Sequence, residues 1–206
     1  MKILGLEHKS PIRNIFRSKA ELFVFLFCVI IGLIMVLIIP PFQKPDEVVH
    51  YQRAVLLVKG DIICNKDQIR SFSMDTEYLR MIEEVGTSRL AFNYDQKFDV
   101  STIVEGSYNL TGESVNHDSL CNLPFTSYIL FALGILLGEL FNNVLIGFYL
   151  CRLFAFIFFL ICILVSINIL KDSKFRWVVL LFSIIPMVLH QVSAIGYDYL
   201  QLSLSP

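Results

Sequence analysis

The chain carries four long apolar runs, Leu22 to Phe42, Leu123 to Leu140, Val144 to Leu170 and Trp177 to Ile195. Each is close to the roughly 20 residues a helix needs to cross a bilayer. The pattern predicts an all-α polytopic membrane protein with about four transmembrane helices, at 22–42, 123–140, 144–170 and 177–195. No small-residue cleavage site follows the first run, which is expected to remain as an uncleaved anchor.

Between the first two runs lies a long polar loop, Gln43 to Asn122, with thirteen acids against eight Lys and Arg. An acidic excess suits the extracytoplasmic side. Pro45 and Asp46 form a helix start, through proline's fixed φ and the acid's capping oxygen. That helix is expected over 46–59 and should end at Gly60, which can take the left-handed conformation. A second helix is expected over 75–85, where Tyr78, Met81, Ile82 and Val85 share one side. Both read as amphipathic helices in the membrane interface. Beyond Gly86 the loop has alternating patches without a firm pattern, and Asn109-Leu110-Thr111 is a weak glycosylation signal.

Composition sharpens this picture. The 206 residues are 55% hydrophobic with a mean hydropathy of +0.65, too apolar for a soluble domain, and no nucleic-acid partner is indicated. The net charge of −1 hides a basic start: Lys2, Lys9, Arg13, Arg17 and Lys19 stand against Glu7. Residues 1–21 are therefore expected to be cytoplasmic. Cys28, Cys151 and Cys162 fall in apolar runs. Cys64 and Cys121 fall in the loop, as a disulfide or as two free thiols.

The candidate chemistry lies where the first membrane run ends. On a helix beginning at Asp46, His50 and Arg53 share its face, while Glu47 points about a quarter-turn away. An acid beside a base at a dry interface suits a general base or a residue that orients an acceptor. Helix capping and a solvated Asp-His pair fit the same spacing. DEVVH also has the i, i+4 spacing of a zinc-binding helix, but only His117 remains in the loop as a further imidazole ligand. No dedicated metal site is expected, although a divalent cation shared with a phosphate substrate is compatible.

Arg152 falls inside an apolar run and needs an interface, a cavity or an acid, for which Glu139 is a candidate. If all four runs cross, the basic turn 171–176 lies outside and Asp198 inside. If that turn is cytoplasmic, Asp198 joins Asp46 outside and an element between Leu123 and Leu170 fails to cross. The second arrangement respects the positive-inside rule and is preferred. His190 and Gln191 suggest a helix contact, Trp177 and Tyr197 interface anchors, and the phenylalanines of the third run lipid-facing bulk.

KPDEVVHYQRAVLLVKGD resembles the first external loop of membrane glycosyltransferases of the GT-C fold. More narrowly, the chain resembles the bacterial membrane proteins grouped as domain of unknown function 2142. Three further blocks carry this likeness: LPFTSYILFALGILLGELF with Pro124 and Tyr128, FYLCRLFAFIF with Arg152, and IPMVLHQVSAIGYDYL with Pro186, Met187, Gln191, Tyr197 and Asp198. The resemblance implies a multi-pass protein of the bacterial inner membrane that transfers a sugar from a polyprenyl-phosphate carrier to an external acceptor in envelope glycan synthesis. Asp46 and Asp198 would then be catalytic acids, with Glu47, His50, Arg53, Tyr128 and Gln191 lining the substrate site. Members of the family continue through further membrane helices, so the chain reads as a GT-C-like N-terminal half. The competing reading is a non-catalytic truncated protein, or an accessory subunit that binds lipid-linked glycan or a partner membrane subunit.

Overall fold

The computed structural model describes residues 15–44, 46–63, 69–85, 100–120, 124–170 and 172–205. Lys2, Lys9, Arg13, Pro45, Cys64 and Cys121 lie outside the described residues, as do all of residues 86–99. The first helix, α1 (Lys19–Ile38), opens on a capping arrangement. Ser18 Oγ accepts from the Glu21 N–H at 3.1 Å, and the Glu21 carboxylate accepts from the Arg17 N–H at 2.8 Å. It ends where Ile39, preceding Pro40, turns extended, because proline disfavours helical backbone in the residue before it. Its 20 residues make a rod about 30 Å long.

The loop then builds α2 (Glu47–Val58), β1 (Ile69–Asp75), α3 (Thr76–Glu84), α4 (Val100–Glu105) and β2 (Ser114–Leu120). Gly60 follows α2 with a φ of 100°. Strands β1 and β2 pair antiparallel, from Ile69 opposite Leu120 to Asp75 opposite Ser114. Asp75 locks this strand pair to α3: one carboxylate oxygen caps the Glu77 N–H at 3.0 Å and the other accepts from the Gly112 N–H at 2.8 Å. The sequon threonine is engaged as well, its Oγ1 lying 3.1 Å from Thr76 Oγ1.

A 3₁₀ turn (Phe125–Tyr128) leads into α5 (Ile129–Leu140), then α6 (Val144–Ile169), α7 (Arg176–Ser183), α8 (Pro186–Val192) and α9 (Asp198–Leu204). Among the described residues, α1 and α6 are long and apolar enough to cross a membrane. The run expected as one helix over 177–195 is two. Ile185 is extended before Pro186, and a proline there has no N–H to continue the ladder. The run expected to cross over 123–140 gives a turn and a helix of 16 residues together, about 24 Å of rise.

Three sets of contacts fix how these pieces run. Antiparallel to α1, α6 meets its end through Arg152 and Val36, its middle through Phe156 and Gly32, and its start through Arg17 and Asp172. Residues 176–195 run back parallel to α1: Arg176 binds Glu21, Cys28 Sγ donates to the Ser183 carbonyl, and the Ile195 N–H reaches Glu47. Helix α5 instead lies along the first half of α6, with Gly138 against Gly147 and Gly134 against Cys151. It rises beside α2 from the His50–Tyr128 contact to the Lys59–Glu139 ion pair. The fold has two tiers: α1, the second half of α6 and α7–α8 below, and α2, α3, α5 and the start of α6 above. Phe148, Phe156 and Phe159 of α6 are fully buried. The expectation of lipid-facing phenylalanines therefore fails for those that face α1 and the loop helices.

Candidate functional site at the junction of the tiers

Glu47, the first residue of α2, is fully buried, and so is Arg152 of α6. Arg152 Nε donates to Glu47 Oε1 at 3.0 Å and Nη2 to Oε2 at 2.9 Å. The remaining donors go to carbonyls left over by the end of α1: Nη1 to Val36 and Ile39, and Nη2 to Pro40. All five guanidinium N–H groups are thus used, and the orphan carbonyls of a helix C-terminus are satisfied deep in the protein. Glu47 Oε1 also accepts from the Ile195 N–H at 2.9 Å. One carboxylate therefore ties together the end of α1, the start of α2, α6 and the segment after α8. Arg152 was expected to pair with Glu139. Glu139 instead accepts from Lys59 Nζ and Tyr78 Oη, each at 3.1 Å, because α5 carries it upward, away from the middle of α6.

Around this clamp stands a second, less buried set of polar groups. Asp46 is exposed, with a φ of 62° and no side-chain cap bond to α2. Its carboxylate does not do the capping expected of it, since left-handed backbone turns it away from the helix N–H groups. A non-glycine residue in this conformation costs energy that the surrounding structure must supply. Lys44 Nζ, on a nearly buried side chain, donates to Asp198 Oδ2 at 3.1 Å. This pair sets the geometry of the two ends: Asp46 and Asp198 share one end of the membrane tier, and the 172–176 turn lies at the other.

His50 sits between these charges. Its Nδ1 is 2.7 Å from Tyr128 Oη, and its ring meets the Tyr197 ring edge-on at 5.4 Å. Burial lowers its pKa below the usual imidazole value and the Lys44 ammonium lowers it further, while Asp46, Asp198 and Glu47 pull the other way. Arg53, one turn on, points elsewhere. Its Nη1 and Nη2 donate to the carbonyls of Asp61 and Ile62 at 3.1 and 3.2 Å, and its guanidinium lies 5.8 Å from the Tyr128 ring centre. It holds the exit of α2, and burial lowers its pKa.

Of the seven residues singled out from sequence, Asp46, His50, Tyr128 and Asp198 come together around Lys44. Glu47 lies beneath them as a frame, Arg53 is turned to the 61–62 backbone, and Gln191 is half-buried on α8. His117, the other imidazole of the loop, contacts Gln52 at 2.9 Å instead of this cluster. Among the described residues, no group of three or more His, Cys, Asp or Glu side chains could hold a metal ion. Sequence reasoning missed Lys44. The available signal was a lysine directly before the Pro45-Asp46 helix start, at the depth where Asp198 also arrives.

The architecture defines a helical membrane protein whose polar cluster sits where its apolar helices end. A family model described as "Predicted membrane protein (DUF2142)" matches residues 27–206, and the chain belongs to that family. No curated protein and no solved structure matches it.

Proposed function

We propose that this chain forms the N-terminal part of a GT-C-like glycosyltransferase of the bacterial inner membrane, with its N-terminus cytoplasmic. It would use a polyprenyl-phosphate-linked sugar for envelope glycan synthesis. The observation that carries the reading is the convergence of Asp46, His50, Lys44 and Asp198, from segments 154 residues apart, at one end of the membrane helices. A lipid-linked donor presents its phosphate at that depth. Asp46 is the exposed acid, free of any capping duty, and serves as the group that orients or deprotonates the acceptor hydroxyl. Asp198 is the second acid, and His50 with Tyr128 forms a wall that stays uncharged near neutral pH.

The test is sugar transfer by the complete gene product in proteoliposomes, with and without Asp46→Asn. Removing a general base costs about a hundredfold or more in rate, so transfer should fall by at least that factor while membrane insertion, read by protease protection, is unchanged. Transfer at the wild-type rate in Asp46→Asn removes the proposed role.

A further inference from the structure

We propose that Lys44 binds the phosphate of a phosphate monoester, and that Asp198 is the internal competitor this phosphate displaces. Four cations need comparison. Arg152 spends all five donors on Glu47 and helix-end carbonyls, Arg176 is held by both oxygens of Glu21, and Arg53 is turned to the carbonyls of residues 61 and 62. Lys44 differs. Its side chain is 6% exposed, and among the described residues its ammonium has one hydrogen-bond partner, Asp198 Oδ2. An ammonium offers three donors, so two remain.

The partner is built to leave. The Asp198 side chain is 32% exposed and can turn into water, whereas Lys44 cannot. Gly196 places bare backbone beside the ammonium: a Cβ there would fall 2.8 Å from Lys44 Nζ and 3.5 Å from His50 Cδ2. A phosphate monoester carries more charge than a carboxylate and has three terminal oxygens for the unused donors. Lysine, a compact point charge, suits such a group without needing the planar match that arginine makes.

The phosphate can come from a lipid headgroup or from solution. The lipid source rests on the reading above, in which the donor is a phosphodiester and polyprenyl monophosphate is the monoester left when its sugar is transferred, whereas the site itself is tested by binding alone. The full chain in phosphatidylcholine nanodiscs is titrated with a long-chain polyprenyl monophosphate, with the corresponding free polyprenol as control. Wild type should prefer the phosphate, Lys44→Gln should weaken binding about tenfold, and Asp198→Asn should tighten it severalfold. The gain in Asp198→Asn cannot come from misfolding. Equal affinities in all three proteins, or weaker binding by Asp198→Asn, overturn the proposal. Competition by millimolar inorganic phosphate assigns the site to soluble phosphate, and its failure to compete assigns it to the headgroup. Absence of transfer in the complete protein alongside Lys44-dependent binding would sink only the glycosyltransferase reading. Asp46-dependent transfer without any Lys44 effect on binding would sink only this one.

Discussion

Replacing Arg152 by methionine keeps most of the side-chain length and removes the charge and all five donors. It strands the Glu47 carboxylate, which is fully buried, and it also leaves the carbonyls of Val36, Ile39 and Pro40 without their common donor. Breaking a buried pair by removing one partner costs about 3–5 kcal/mol, because the other charge has nowhere to go. For a chain of this size each kcal/mol moves the midpoint by about 2–4 °C, so Arg152→Met should melt roughly 6–20 °C below wild type in one detergent. Glu47→Gln leaves a side-chain oxygen for the Ile195 N–H and should cost less. The double variant should recover much of the loss, with a coupling of about 2 kcal/mol or more. Arg152→Lys should fall between, since an ammonium cannot serve two carboxylate oxygens and three carbonyls at once. The assay is thermal unfolding of wild type and the four variants followed by Trp177 fluorescence. An Arg152→Met midpoint within about 2 °C of wild type, or single losses that simply add, would refute the clamp as the element joining the two tiers.

Other consequences follow from the same contacts. The His50 pKa is lowered by burial and then by Lys44, so the unfolded chain takes up the proton first. Stability should fall as pH drops through about 6.5, and His50→Gln should flatten that slope in denaturant titrations at successive pH values. Adding a methyl at Gly138 would bring a carbon 2.4 Å from Gly147 Cα, whereas one at Gly147 meets Gly138 Cα at 3.2 Å. Gly138→Ala should therefore destabilise by about 1–3 kcal/mol and Gly147→Ala by less, read as melting midpoints. Asp46→Asn should change stability by under about 0.5 kcal/mol, because asparagine also tolerates left-handed backbone. A larger loss in unfolding experiments would mean that Asp46 is a folding residue instead of a chemical one.

What could be read from sequence was local. The stop of α2 before Gly60 and the start of α3 near Asp75 each depend on a few neighbouring residues, whereas the capping expected of Asp46 does not form. The strand pair escaped because, among the described side chains, only Phe72 and Met74 of β1 are buried while those of β2 are largely exposed, which leaves little alternation to detect. The faces of α6 escaped for the opposite reason: a helix apolar all round carries no stripe, so Phe156 reads like any lipid-facing phenylalanine until Gly32 is set beside it.

The candidate site divides along the same line. Asp46 draws notice because it is polar at a membrane boundary, but exposure and left-handed backbone are what separate it from its neighbour. Glu47 reads equally well as a site residue, and only a partner 105 positions away makes it a frame. Arg152 itself announced that some acid must meet it, since an unpaired guanidinium among apolar helices is too costly. Choosing between Glu139 and Glu47 required the direction in which α5 runs. Burial thus sorts adjacent carboxylates into different work: the one saturated by two Arg152 donors and the Ile195 N–H holds the helices together, and the one left at the surface stays open to solvent.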